Sequence, residues 1–127
     1  MQLSYKKTNF RSACSISCAL EIIGDRWTLL IIRDILFSGS KSFGDFRSSP
    51  ERIATNILSN RLEKLVSYGI LKKSVNKENR LKYDYELTDV GLGLEPIIRA
   101  IGEWGHTTIE GSRSIDSFLE INQSSTS

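Results

Sequence analysis

The sequence predicts a mostly helical α+β fold, in which several helices precede a two-stranded hairpin and one long helix follows it. Two observations predict this. Apolar residues recur at helical spacing up to about residue 68 and again after 88, whereas between 70 and 87 apolar and polar residues alternate. Turn-forming residues stand at the joins, in Gly24-Asp25, Ser38-Gly39-Ser40, Pro50, Gly69 and the polar stretch 76–82.

Taken in order, residues 1–13 are polar and without periodicity and read as a flexible N-terminal arm. Ser15 or Ser17 is placed to cap a first helix carrying Ala19, Leu20, Ile22 and Ile23, which Gly24-Asp25 ends. A second helix over 27–37 is apolar on nearly every side, so it belongs in a core. Lys41, Ser42 and Phe43 are expected to pair briefly as a strand and to cap a short helix. That helix carries Phe43, Phe46 and Arg47 and stops before Pro50. The next helix spans 54–68 and ends at Gly69, a residue suited to a left-handed cap. Ile57, Leu58, Leu62, Leu65 and Val66 line one of its sides; Thr55, Asn56, Ser59, Asn60, Glu63 and Lys64 line the other.

Strands are expected at 70–75 and 83–87, joined by a mostly basic tip at 76–82. Thr88 then caps a long helix from 89, with Leu92, Ile97, Ile98, Ile101 and Trp104 as its apolar stripe and a kink at Pro96. A weak helical segment at 115–121 and a frayed Ser-rich tail at 123–127 complete the chain. No repeat or linker divides it, so 14–122 read as one domain.

Composition narrows the function classes. The net charge of +2 hides an asymmetry: residues 33–82 hold 11 Lys/Arg against 5 Asp/Glu, a balance of +6, whereas 83–127 hold 2 against 8, a balance of −6. The middle of the chain is therefore suited to a polyanion, although a solvated surface would show the same excess. Leu29 to Ile32 is the longest apolar run considered, far short of the roughly 20 residues that span a bilayer. The first ten residues hold two lysines with no apolar stretch behind them, unlike a secretory signal. Two cysteines are too few for a disulfide scaffold, and a cytoplasmic location without membrane contact is expected.

Three helices followed by a basic hairpin is the element order of a winged helix-turn-helix. In such a fold the 54–68 helix enters the major groove, where Asn can bond adenine at two points and Ser or Thr can serve base or phosphate. Lys77, Arg80 and Lys82 on the hairpin are placed to reach phosphates or a minor groove. Lys41, Ser42, Arg47 and Lys64 complete the expected DNA-facing set. Arg61 is open to two readings, a phosphate contact or an ion pair that holds the fold. Trp27 and Trp104 read as core or interface residues rather than a ligand pocket. His106 is the sole histidine, so no metal site is expected, and nothing calls for a cofactor. No nucleophile–base pair, phosphate-cradling glycine loop or catalytic carboxylate pair suggests an enzyme. The competing reading is a winged-helix module for protein–protein assembly, which would expose apolar residues where this chain has Thr, Asn, Ser, Lys and Arg.

The chain also resembles a family. Cys14, Ala19-Leu20, the run Ile23 to Arg33 (IGDRWTLLIIR), Phe43-Gly44-Asp45-Phe46, the run Ile53 to Leu62 (IATNILSNRL), Gly69-Ile70-Leu71, Tyr83 to Thr88 (YDYELT), Gly91 and Trp104-Gly105 resemble HxlR-type winged-helix regulators, relatives of the MarR class. The likeness holds one register over about 14–106. It implies a DNA-binding transcriptional regulator acting as a homodimer through the first and last long helices, with Leu20, Ile97, Ile101 and Trp104 at the interface. It implies that 54–68 is the recognition helix and the hairpin the wing. Several members sense oxidants or electrophiles through a Cys at the position of Cys14, which makes Cys14 the candidate sensor thiol. Cys18 is then a resolving partner or a simple filler; the alternative is that both are ordinary helix cysteines. Release by a small-molecule effector is a further form of control for such a regulator. The family pattern has Pro directly after that first Cys; Ser15 stands there in this chain.

Overall fold

A computed structural model describes residues 10–117. Along the chain lie α1 (Ser15–Ile23), α2 (Thr28–Ser38), α3 (Phe43–Arg47), α4 (Thr55–Ser67), β1 (Leu71–Val75), β2 (Tyr83–Leu87), α5 (Asp89–Leu92) and α6 (Glu95–Thr108). The two strands pair antiparallel with Leu71 opposite Leu87 and Val75 opposite Tyr83. This is the mostly helical winged helix-turn-helix expected from the sequence. Residues 115–117 are helical, and the rest of the 115–121 segment, the tail at 123–127 and residues 1–9 of the expected arm lie outside the described residues. No helix among the described residues is long and apolar enough to cross a membrane.

The core forms where α2, α3, α4, the sheet and α6 meet. Ile31 and Ile32 of α2, Phe46 of α3 and Leu58, Leu62 and Leu65 of α4 are buried together with Ile70, Leu71, Tyr85 and Ile98. The expected pairing of Phe43 and Phe46 toward one core holds, with Phe46 buried and Phe43 half-buried against it. At its C-terminus α4 closes with a complete Schellman motif. The Ile70 amide donates to the Leu65 carbonyl and the Gly69 amide to the Val66 carbonyl, with Gly69 left-handed at φ 74°. That reversal turns the chain straight into β1. Gly91 then lets α5 lie against the sheet, because a Cβ there would run into the Ile70 carbonyl.

Three expectations need correction. The first helix is capped by Cys14 rather than by Ser15 or Ser17, since Cys14 already has extended backbone and its amide is engaged by the Ser12 hydroxyl. The long C-terminal helix is present as α6, but it starts at Glu95 rather than 89 and a short α5 precedes it. Thr88 caps only the short α5, and Pro96 lies in the first turn of α6 instead of kinking a continuous helix. Proline lacks an N–H and its ring clashes with the carbonyl four residues back, whereas in a first turn its missing donor costs nothing. Finally, α2 is not a uniformly core helix. Leu29, Leu30, Ile35, Leu36 and Phe37 are only half-buried, and Asp34 is 4% exposed.

Asp34 is tolerated there because it is paired. Arg33 Nη2 lies 2.8 Å from Asp34 Oδ1 and 2.7 Å from Glu51 Oε1, and Nη1 lies 2.8 Å from Glu51 Oε2. The Ser49 hydroxyl also donates to Glu51 Oε1 at 2.9 Å. This network ties α2 to the turn between α3 and α4. Its carboxylates titrate in opposite senses. Burial pushes Asp34 up, whereas the hydrogen bonds from Arg33 hold Glu51 down to about 2 from an ordinary 4.5.

A lowered carboxyl pKa stabilises the fold above its unfolded value, and that contribution is lost as pH falls through the folded value. Urea midpoints should therefore drop between about pH 4.5 and pH 2. Glu51→Gln should cost about 1 kcal/mol at pH 7, given partial solvent screening, and should flatten that drop. Identical pH slopes for Glu51→Gln and wild type would show that Arg33 and Glu51 are not coupled in the folded state.

Candidate nucleic-acid interface

The surface expected to meet DNA is built from three pieces fixed to one another. Helix α3 begins with a capping box: the Asp45 amide donates to the Ser42 hydroxyl at 3.2 Å, and Asp45 Oδ2 accepts from the amides of Ser42 and Lys41. Burial pushes Asp45 up, but the Lys41 and Ser42 amides outweigh it and its carboxyl sits below the ordinary range. The expected brief strand is present as a single bridge between Ser42 and Asp84, and the Tyr85 amide donates to the Lys41 carbonyl at 2.8 Å. These bonds stitch the start of α3 to β2, so helix-turn-helix and hairpin hold one relative position.

Helix α4 has an almost fully buried back and an open front. Leu58, Leu62 and Leu65 are each no more than 1% exposed. Thr55, Asn56, Ser59, Asn60 and Lys64 are exposed, and no hydrogen bond within the described residues engages the four short polar side chains. No large apolar residue of α4 is exposed, contrary to what a protein-assembly surface requires. The N-cap residue is Ala54, which offers no side-chain acceptor.

Arg61 departs from the rest of this face. It is half-buried, and its Nε lies 3.4 Å from Asp25 Oδ2. That is an ion-pair distance without hydrogen-bond geometry, and the buried Nε has no hydrogen-bond partner. The ion pair of the fold-holding reading is thus present. Asp25 is engaged further: it accepts from the amides of Trp27 and Thr28, each at 3.0 Å, and from the Thr28 hydroxyl. Burial pushes Asp25 up, but the Thr28 hydroxyl, these amides and Arg61 together hold it below its ordinary value. One carboxylate thus braces the turn that enters α2 and pairs with Arg61 of α4. The sequence predicts only a helix break at Gly24-Asp25, where the folded chain uses Asp25 to bind the amides of Trp27 and Thr28.

The hairpin tip is ordered by two asparagines. Asn76 Oδ1 accepts from the amides of Glu78 and Asn79, and Asn79 Oδ1 accepts from the Leu81 amide. Asn76 Nδ2 donates to the Asp84 carboxylate. Lys77, Arg80 and Lys82 are all exposed on this tip. Arg47 is exposed at the end of α3, and Lys41 is exposed beside the sheet. The Ser42 hydroxyl oxygen is occupied by the α3 cap. Sequence reasoning missed Arg52, an exposed cation in the turn before α4 that holds a left-handed φ of 55°. Nothing in the local sequence signals that conformation.

Away from this surface, Leu20, Ile97, Ile101 and Trp104 are exposed, Trp104 at 65%, while Ile98 of the same stripe turns into the core. Cys14 is exposed at the start of α1. The amides of Ser17 and then Ile16 hold its thiol below the ordinary pKa, although neither makes a cap bond of regular geometry. The Cys18 thiol donates to the Ser12 carbonyl at 3.2 Å.

Residues 22–113 match the family model of HxlR-like helix-turn-helix proteins. The chain belongs to that family. Among similar proteins, the HTH-type transcriptional regulator YvaP of Bacillus subtilis is 33% identical over 94 residues, 74% of this chain and 86% of YvaP. The crystal structure of PA1607, a candidate transcription factor, superposes with a TM-score of 0.73 at 35% identity, covering 81% of this chain and 72% of that one. The redox regulator HypR in its reduced form superposes with a TM-score of 0.64 at 28% identity, covering 75% of this chain and 93% of HypR. The protein is accordingly a DNA-binding transcriptional regulator and not an enzyme.

Proposed function

We propose that this HxlR-type regulator acts in the cytoplasm as a homodimer that places α4 in the major groove, with the 76–82 wing against the backbone or adjacent minor groove. The observation that carries this reading is the α4 front. Four short polar side chains, free of internal bonds, project from a helix whose back is locked into the core. Asn56 and Asn60 are suited to adenine, and Thr55 and Ser59 to base or phosphate. Arg47, Lys64, Lys77, Arg80, Lys82 and Lys41 supply the positive surroundings, while Arg61 positions the helix from behind.

Dimerisation is supported by the exposed apolar residues Leu20, Ile97, Ile101 and Trp104 on α1 and α6, too many large side chains for a lone surface. A dimer would present two recognition helices to half-sites about one helical turn apart. Control by an oxidant or electrophile is supported by Cys14, whose thiol is exposed and lowered in pKa, the two properties a reactive thiol needs. HypR, a redox regulator, shares the fold and 28% of the aligned sequence.

Three outcomes are expected. On a duplex selected from random sequence by the wild-type protein, Asn56→Ala or Asn60→Ala should lose about 1–3 kcal/mol and change binding to random duplex little; Lys77→Ala should weaken both and lower the salt slope by about one unit. Anisotropy titrations in which the Asn variants weakened both duplexes equally would move recognition away from α4. Ile101→Asp should give a monomer by light scattering, and a persistent dimer would place the interface elsewhere. Diamide treatment should release wild-type protein from the selected duplex and leave Cys14→Ser bound; equal release of both would exclude Cys14 as the sensor.

A further inference from the structure

Leu81 has no role in the fold yet is held in a defined position. At 92% exposure it is the most exposed large apolar side chain among the described residues. The tip that carries it is nonetheless tightly bonded. Its own amide donates to Asn79 Oδ1 at 3.1 Å, the Lys82 amide donates to the Asn79 carbonyl at 3.0 Å, and the Asn76 amide donates to the Lys82 carbonyl at 2.9 Å. Leu81 also begins a stripe at two-residue spacing that deepens into the protein: Tyr83 is half exposed and Tyr85 is buried edge-on against Phe46. The apolar tip is thus a rigid projection mounted on the core.

Its surroundings restrict what it can meet. Arg80 and Lys82 flank it and Lys77 lies on the same tip, all exposed. The tip also carries exposed Glu78, but its three cations leave it net positive, which suits a partner that is anionic around an apolar slot. In a DNA duplex the minor groove is such a place, with phosphates along both edges and sugars and stacked base steps within. We propose that Leu81 is an apolar wedge that enters the minor groove beside each half-site and partly unstacks one base step. The wing would then be a specificity element as well as an electrostatic clamp. Flexible pyrimidine–purine steps, TA or CA/TG, open at least cost, so they are preferred at that position without any hydrogen bond to a base. This rests on the DNA-bound arrangement proposed above and adds a sequence preference outside the segment read by α4.

The test is selection from random duplexes by wild type, Leu81→Ala and Leu81→Arg, followed by binding to the selected site carrying 2-aminopurine at the flanking step. Leu81 makes no core contact, so neither variant endangers folding. Wild type should enrich half-sites flanked by a pyrimidine–purine step and brighten 2-aminopurine on binding. Leu81→Ala should enrich the same half-sites without the flanking preference, bind about five- to tenfold more weakly and leave the probe dark. Leu81→Arg should regain affinity through phosphate contact, with the probe still dark. A flanking preference and brightening unchanged in Leu81→Ala would overturn the wedge while leaving α4 recognition intact. Failure of all three proteins to enrich any half-site would overturn the DNA-bound arrangement itself, and the wedge with it.

Discussion

Everything that this chain presents to the outside depends on the burial of one side of α4. Leu58, Leu62 and Leu65 are packed against α2, α3 and the sheet with almost no exposed surface. A helix of 13 residues has little stability by itself, so tertiary packing of that face keeps it formed and fixes its rotation. Rotation matters because it decides which side chains stand on the open front, Thr55, Asn56, Ser59 and Asn60 among them. The packed leucines and the open polar front are two consequences of one amphipathic pattern.

Around that packed face the protein places charge to hold geometry rather than only to attract DNA. Two ion-paired sites lie on either side of the helix-turn-helix. Asp25 joins the start of α2 to Arg61 of α4, and Arg33 joins the middle of α2 to Glu51 in the turn. Both are partly shielded from water, where a pair is screened less by salt than a surface pair is. Breaking either would leave a charged group without its partner in a partly dry setting, at greater cost than the net worth of the pair. The exposed cations of α3 and the wing carry no such constraint and remain available to a polyanion. The Lys41–Tyr85 and Ser42–Asp84 contacts then fix the start of α3 against β2, which holds the hairpin in one position relative to the helices.

Much of this was legible in the residues. The 54–68 helix, its Gly69 end and the hairpin appeared within a residue or so of where the pattern put them, because each is set locally: a 3.6-residue period, a left-handed glycine, an alternation of tyrosines. The split of the last helix was legible in principle, since Gly93 and Pro96 are close together; Pro96 was read as a kink because apolar residues continue on both sides of it. Arg61 was not decidable. An arginine between a polar and an apolar face fits either a phosphate or a carboxylate, and only folding brings up Asp25, 36 positions earlier in the chain, as a carboxylate partner.

By itself, the sequence determined the element order up to the hairpin, the amphipathic 54–68 helix, the basic character of the hairpin tip and the family likeness, because these rest on spacing and composition along the chain. Tertiary structure alone decided which charges are spent internally, that Asp34 can be buried, that Ile98 turns inward while Ile97 and Ile101 stay exposed, and that the wing holds Leu81 out at its tip. Those outcomes depend on contacts between residues far apart in sequence, where the cost of burying or exposing a group is set by the partner that folding brings to it.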